Sequence, residues 1–172
     1  MKNVKLIYLN MSTELRQSDT PSSALPKIPE LRVAIAVAEW NSHITEALLA
    51  GALRVFAAEG YPEDTIDVFH VPGTVELTFA AAKLAQQDKY DAVIVFGCVI
   101  RGGTPHFDYV CQSITQGVTT LNAAGKIPVT FGILTTDNEQ QAIERADGSL
   151  ADKGAEAAQA AIKMCDFALK IR

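Results

Sequence analysis

The chain has 172 residues, of which 48% are hydrophobic and 20% charged, and its formal net charge is −5 at pH 7. This length suits one domain with a well-formed core and is short for two. The negative charge argues against nucleic acid or an anionic membrane as the main partner, whereas a local arginine or lysine can still bind a small anion. No apolar run approaches the roughly 18 residues of a membrane span, and the N-terminal residues lack a signal-peptide pattern.

The three cysteines are odd in number and lack the spacing of metal ligands. This pattern argues against a disulfide framework and against a zinc site. We therefore expect a reducing, cytoplasmic setting and no bound metal.

The first thirty residues differ from the rest of the chain. The stretch 18–29 holds three prolines and several serines and threonines, which favours an extended arm over a core element. Residues 4–10 are strand-like and would pair with a sheet edge of another subunit, although a disordered tail explains the composition equally well. We predict an extended arm at 1–30 and a single α/β domain at 31–172.

From residue 31 onward, apolar β-branched runs alternate with amphipathic stretches. Ser42 is placed to cap the first helix, Gly60 to end it, and Gly97 to end the third strand. The apolar face of the last helix includes Cys165 and Leu169. Four strand–helix units in succession predict a parallel sheet with helices on both faces. The predicted strands are 31–38, 65–71, 92–96 and 128–134, and the predicted helices are 42–59, 75–86, 107–123, 138–146 and 153–171.

The turns that follow the four strands carry the residues least typical of core or solvent. They occupy 39–41, 72–76, 97–106 and 135–138. Because parallel strands end at the same edge of a sheet, we expect these turns to lie side by side. The sequence therefore predicts a ligand site at this edge.

The third of these turns is the richest in chemical groups. It runs from Arg101 through two glycines and Thr104 to His106, whose imidazole can accept or donate a proton and so suits proton transfer. A surface or helix-capping histidine is the alternative. Gly102 and Gly103 with Thr104 resemble a backbone anion cradle, which is a weak signal without a longer glycine-rich nucleotide motif.

Four other candidates have simple structural alternatives. Trp40 either stacks on a flat heterocycle or serves the core. Glu76 either binds ring or sugar donors or interacts favourably with a helix N-terminus. Arg145 and Lys153 are candidate phosphate partners, although solvated charges at helix ends explain each of them alone.

The sequence pattern favours structural roles for three further residues. Cys98 has the pattern of a small buried residue and no activating base is identifiable beside it. His43 lies at a predicted helix start and His70 inside a predicted strand, and neither belongs to the candidate site.

Five short segments carry a family pattern: Trp40-Asn41, VPGTVEL at 71–77, GCVIRGGTPHFDYV at 97–110, PVTFGILTTDNEQQAIERA at 128–146 and DKG at 152–154. Together and in this order they resemble the lumazine synthases (6,7-dimethyl-8-ribityllumazine synthases) of riboflavin biosynthesis. The resemblance runs from about residue 31 to the C-terminus. Five ordered segments are more specific than any single motif.

The resemblance implies a fold and a reaction. The fold is a flavodoxin-like, three-layer α/β/α sandwich with a four-stranded parallel sheet. The reaction is a transferase step that condenses 5-amino-6-(D-ribitylamino)uracil with 3,4-dihydroxy-2-butanone 4-phosphate. It yields 6,7-dimethyl-8-ribityllumazine, phosphate and water, is the penultimate step of riboflavin biosynthesis, and uses no metal or organic cofactor.

The resemblance also implies roles for individual residues. His106 would transfer protons, Trp40 would stack on the pyrimidine, and Phe131 would close the pyrimidine pocket from a neighbouring subunit. The pyrimidine and its ribityl chain would further contact Thr74, Val75, Glu76, Cys98, Val99 and Ile100, and the butanone phosphate would contact Gly103, Thr104, Arg145 and Lys153.

Two positions depart from the family pattern, and both bear on substrate affinity. Val75 stands where many members carry an aromatic residue, and Ser149 stands where some carry lysine. The resemblance further implies a homopentamer with active sites between subunits. Because the segment 147–152 shows no insertion of the kind associated with free pentamers, we favour a shell of sixty subunits.

Two alternatives to the enzyme share the same fold. One is a non-catalytic protein that binds flavin or lumazine, and the other is a shell-forming protein that has lost catalysis. A binding protein would keep the stacking Trp40 and would need neither His106 nor Arg145. The joint presence of His106, Thr104 and Arg145 favours the enzyme.

Overall fold

The computed structural model describes residues 24–171, in which a four-stranded sheet lies between two layers of helices. The strands are β1 (Val33–Ala38), β2 (Ile66–Val71), β3 (Ala92–Ile100) and β4 (Val129–Thr136). The helices are α1 (Ser42–Ala58), α2 (Leu77–Ala85), α3 (His106–Ala123), α4 (Glu139–Ala146) and α5 (Lys153–Lys170), with one short 3₁₀ turn at Glu63–Thr65.

The sheet has the strand order β2-β1-β3-β4, and every pair of neighbours is parallel. The chain runs from β1 outwards to β2 and then crosses back to β3, so the strand order reverses between β1 and β3. In open α/β sheets, ligands bind at the carboxyl ends of the strands beside such a switch point. The predicted flavodoxin-like α/β/α fold is confirmed.

Side-chain alternation along the strands builds two cores, one on each face of the sheet. In β1 every residue is buried, as expected for a strand covered on both faces. Val33, Ile35 and Val37 pack with α1, α4 and α5. Ala34, Ala36 and Ala38 pack with α2 and α3.

Close helix packing depends on a glycine at the start of α5. A Cβ atom at Gly154 would overlap the carbonyl oxygen of Leu48 in α1. The absence of a side chain therefore lets the backbones of α1 and α5 touch, and this contact places the first turn of α5.

Part of the predicted arm packs against the domain. Leu25 and Ile28 lie against the core on the α1 side, and the Ile28 backbone N–H donates to the Tyr61 hydroxyl oxygen at 3.2 Å. The strand predicted at residues 4–10 lies outside the described residues.

Several predicted boundaries are wrong in an informative way. Gly97 does not end the third strand, because β3 continues to Ile100 and Gly97 pairs with Ile133. Ser42 is not the helix cap, since Asn41 occupies that position in a left-handed backbone conformation. Leu169 is not part of the core and is 47% exposed.

Candidate active site

Backbone hydrogen bonds join the four strand-end turns in two pairs at the carboxyl edge of the parallel sheet. The Glu39 N–H donates to the Val71 carbonyl at 2.8 Å, which links the ends of β1 and β2. The Arg101 N–H donates to the Thr136 carbonyl at 2.9 Å, which links the ends of β3 and β4. The predicted gathering of these turns at one edge is therefore observed.

Trp40 and Glu76 meet above Gly73. The Trp40 N–H donates to the Pro72 carbonyl at 3.2 Å, while its ring is left open to a ligand, since the residue is 70% exposed. A methyl group on Gly73 would lie 3.0 Å from Trp40 Cε3 and 3.0 Å from Glu76 Oε2. The missing side chain of Gly73 thus lets an aromatic face and a carboxylate converge. Glu76 immediately precedes α2 and makes no side-chain capping bond.

Thr74 lies deeper in the same region. Its side chain is buried, and a methyl group on Gly97 would lie 2.8 Å from its Oγ1. Glycine at position 97 therefore permits close approach of Thr74 to β3 rather than ending the strand. Val75, next along the turn, is 43% exposed and free to line a pocket.

The wall formed by 98–100 offers mainly backbone atoms to a ligand. Cys98 and Val99 are buried on opposite faces of the sheet, and Ile100 is partly buried. Burial, with a smaller contribution from the Glu139 carboxylate, raises the pKa of the Cys98 thiol to about 12. The thiol is therefore protonated near neutral pH and is unsuited to act as a nucleophile.

The loop between β3 and α3 is open and carries three predicted site residues. Nothing lies within 4 Å of a Cβ atom built at Gly102 or Gly103. Thr104 and His106 are exposed, and His106 is the first residue of α3 with Pro105 at the cap position. The backbone N–H groups of this loop and helix start are thus accessible to an anion.

Arg101 links this loop to its neighbours, a role that sequence patterns alone did not predict. Its Nε donates to Asp137 Oδ1 at 3.0 Å and its Nη1 to Asp108 Oδ1 at 3.3 Å. The guanidinium lies 4.1 Å from the centroid of the Phe107 ring. The hydrogen bond to Asp137 is the main cause of its raised pKa. Arg101 therefore ties the loop to α3 and to the turn before α4.

A cavity of about 380 Å³ lies along the outer edge of β4 and is lined by Phe131, Arg145 and Lys153. Arg145 Nη1 donates to the Gln141 carbonyl at 2.9 Å, which fixes the guanidinium beside α4. Lys153 Nζ donates to Glu156 Oε2 at 2.7 Å. Two cations face one carboxylate in this cavity, so its charge suits an anionic ligand.

The predicted site residues therefore fall into two groups within one chain. The strand-end half comprises Trp40, Thr74, Val75, Glu76, 98–100 and the loop residues Gly103, Thr104 and His106. The edge half comprises Phe131, Arg145 and Lys153. Among the described residues, no member of the strand-end half lines the cavity of the edge half.

The two remaining histidines lie in exposed pairs with glutamates. His43 Nε2 is 2.8 Å from Glu139 Oε1, and His70 Nε2 is 2.8 Å from Glu46 Oε1.

Within residues 24–171, no three side chains of His, Cys, Asp or Glu converge as a metal site would require. In the same part of the chain, no helix combines the length and apolar character needed to cross a membrane.

Comparison with known proteins gives one consistent result. The family model described as 6,7-dimethyl-8-ribityllumazine synthase matches residues 30–168. A protein of that name from Porphyromonas gingivalis is 54% identical over 147 residues, which cover 86% of this chain and 91% of that protein.

Two further relatives carry the same name. The Parabacteroides distasonis protein is 51% identical over 150 residues, covering 87% of this chain and 94% of that protein. The Phocaeicola vulgatus protein is 48% identical over 155 residues, covering 90% and 92%. The chain belongs to the 6,7-dimethyl-8-ribityllumazine synthase family.

Proposed function

We propose that the protein condenses 5-amino-6-(D-ribitylamino)uracil with 3,4-dihydroxy-2-butanone 4-phosphate to give 6,7-dimethyl-8-ribityllumazine, phosphate and water. The observation that carries the proposal is the approach of an exposed aromatic ring and a carboxylate to Gly73, at the carboxyl ends of β1 and β2. A flat heterocycle with a polyhydroxylated chain is the class of ligand that such a pair recognises.

In this proposal the strand-end half binds the pyrimidine. Trp40 stacks on the ring, and the Glu76 carboxylate accepts hydrogen bonds from donors of the ring or ribityl chain. Thr74 and Val75 flank the ribityl chain. Residues 98–100 contribute backbone N–H and C=O groups, because the side chains at 98 and 99 are buried in the two cores.

The phosphorylated ketone binds between the open loop and the edge half. The backbone at Gly103 and Thr104 donates to phosphate oxygens, as accessible N–H groups near a helix start can do. Arg145 and Lys153 add charge, and the guanidinium of Arg145 supports bidentate binding. The same groups stabilise phosphate as it leaves.

His106 transfers protons during the reaction. Attack of the pyrimidine amine on the ketone forms a carbinolamine, which loses water to give an imine. Loss of phosphate and ring closure with release of a second water follow. Each step moves a proton onto or off oxygen, nitrogen or carbon, and an imidazole suits both directions near neutral pH. Holding the two reactants together supplies much of the remaining acceleration.

The separation of the two halves within one chain supports a site shared between copies. We propose a homopentamer in which the edge half of one copy covers the strand-end half of the next, since such head-to-tail contacts generate rings. A shell of sixty subunits and a cytoplasmic location belong to the same proposal. The short link 147–152 between α4 and α5 supports the shell.

A direct assay tests the reaction. The purified protein, with metals chelated, receives both substrates, and lumazine fluorescence is followed against the uncatalysed background. We expect signal that grows with protein concentration and is lost when either substrate is omitted. A protein that binds the pyrimidine and quenches Trp40 without forming lumazine would contradict the proposal and support a binding protein.

A further inference from the structure

Asn41 has an unusual backbone conformation for a residue with a side chain. Its φ of 59° and ψ of 42° lie in the left-handed region, and Glu30 is the other non-glycine residue with positive φ in the described part of the chain. Its carbonyl accepts from the N–H groups of Ile44 at 2.8 Å and Thr45 at 3.1 Å. Asn41 thus reverses the chain direction between Trp40 and α1.

The side chain of Asn41 does not cap its own helix. Its Nδ2 instead donates to the Cys98 carbonyl at 3.1 Å. The pairing of β1 with β3 ends at Val37 and Phe96, whereas the pairing of β3 with β4 continues to Ile100. The amide of Asn41 therefore bonds to β3 beyond the point where β1 has ended.

This bond connects the turn that carries Trp40 with the wall formed by residues 98–100. Trp40 is the residue directly before Asn41, and burial does not fix its ring, since the residue is 70% exposed. The carbonyl that Asn41 holds belongs to the wall 98–100. The turn that carries Trp40 is therefore anchored to β3.

We propose that Asn41 is a positioning residue that fixes Trp40 at stacking distance from the backbone of 98–100 and so defines the slot for the pyrimidine. The inference rests on the proposed function for the identity of the ligand. The anchoring of Trp40 is a property of the chain itself and is tested without any substrate.

Three variants of the full chain separate the amide from the backbone conformation. Asn41→Gly keeps the left-handed conformation and removes the amide. Asn41→Asp keeps the size of the side chain and cannot donate to the Cys98 carbonyl. Thr45→Val is the matched control, because it removes a buried hydrogen bond in the same turn, from Thr45 Oγ1 to the Ala38 carbonyl at 2.8 Å, and leaves the bond to Cys98 intact.

Because Trp40 is the only tryptophan, time-resolved fluorescence anisotropy reports the motion of its ring alone. We expect a larger fast component in Asn41→Gly and Asn41→Asp than in the wild type and Thr45→Val, with circular dichroism unchanged. The KM for the pyrimidine should rise about tenfold in the Asn41 variants, as expected for loss of a bond that orders the site. The KM for the phosphorylated ketone should stay within about twofold of the wild-type value.

Wild-type anisotropy in a folded Asn41→Gly or Asn41→Asp protein would overturn the inference, whatever the activity. An equal rise in fast motion in Thr45→Val would also overturn it, because the effect would then belong to the turn and not to the amide. Absence of turnover in the wild type would instead count against the proposed function, and the anisotropy comparison would still decide the role of Asn41.

Discussion

Two glycines at the strand-end edge differ in what surrounds them. A methyl group at Gly73 would meet the ring of Trp40 and the carboxylate of Glu76, both of which are exposed to solvent. A methyl group at Gly97 would lie 2.8 Å from Thr74 Oγ1 and 2.9 Å from Leu77 Cδ1, both in buried side chains. The close packing of the interior makes the second position the less tolerant.

We therefore expect Gly97→Ala to lower the free energy of unfolding by about 1–3 kcal/mol, as overpacking of a core does. Gly73→Ala should lower it by less than about 1 kcal/mol, because the neighbours can shift. Urea denaturation of the two variants measures the difference. Equal losses of stability in both variants would contradict this account of the two contacts.

His106 carries the proton transfers in the proposed reaction. Its exposure at the first position of α3 predicts that His106→Ala leaves fold and assembly unchanged. Turnover should fall by roughly 10²-fold, the lower end of what a positioned acid–base group contributes. Steady-state assays with both substrates, beside size-exclusion chromatography, measure this. Unchanged turnover would remove the assigned role.

Burial of Cys98 predicts a pH dependence of stability. The folded thiol keeps its proton up to about pH 12, whereas the unfolded thiol loses it near pH 9. Unfolding between these values releases a proton, so the free energy of unfolding falls as pH rises. Cys98→Ala should make this decline shallower between pH 9 and pH 11, measured by chemical denaturation. Parallel curves for the variant and the wild type would contradict the burial argument.

In the loop between β3 and α3, the side-chain contacts lie at the two ends. Gly102 and Gly103 have open space around them, while Arg101 bonds to Asp108 across the loop and to Asp137 beside it. Exposed ion pairs contribute little singly, and more when several charges form a network.

We expect Arg101→Gln to increase hydrogen exchange at 102–106 several-fold while exchange in β3 is unchanged. Lys126→Gln is the control. Lys126 precedes β4, at the amino-terminal ends of the strands and far from the loop, and it pairs with the exposed Asp88. Exchange measured by mass spectrometry distinguishes the two. Similar exchange in Arg101→Gln and the wild type would show that the loop is ordered by other contacts.

Hydrophobic periodicity and turn residues predicted which segments form strands and helices better than they predicted the residues at which those segments begin and end. The strands and helices were expected because apolar periods of two and of 3.6 residues are local properties of a sequence. Gly97 was misassigned because the closeness of Thr74 and Leu77 to its backbone is a tertiary contact. Leu169 was misassigned because helical periodicity gives a direction around the axis and not the turn at which the core ends.

The location of the candidate site was predictable from the strand order, because the topology of a parallel sheet determines which turns lie together. Parallel strands bring their following turns to one edge, so the neighbourhood of Trp40, Glu76 and the 101–106 loop followed from the strand pattern. The bond from Asn41 to Cys98 and the cavity along β4 did not follow from that pattern. Both depend on how side chains pack between segments that are distant in sequence.

Within one chain, the two groups of candidate site residues do not share a cavity in the described residues. The strand-end half presents an aromatic face, a carboxylate and an imidazole, and the edge half presents Arg145 and Lys153 beside Phe131. A reaction between a pyrimidine and a phosphorylated ketone needs both sets of groups at once. We therefore propose that two copies of the chain build each active site.

Complementation between two defective variants tests whether the site is shared between copies. Glu76→Ala combined with His106→Ala damages only the strand-end half, and Arg145→Ala combined with Lys153→Ala damages only the edge half. The two chains, carrying different affinity tags, are co-expressed, and mixed assemblies are isolated through both tags. Random assembly would give about one quarter of sites with two intact halves, so activity near a quarter of the wild-type value is expected. Mixed assemblies no more active than the separate variants would contradict the shared site.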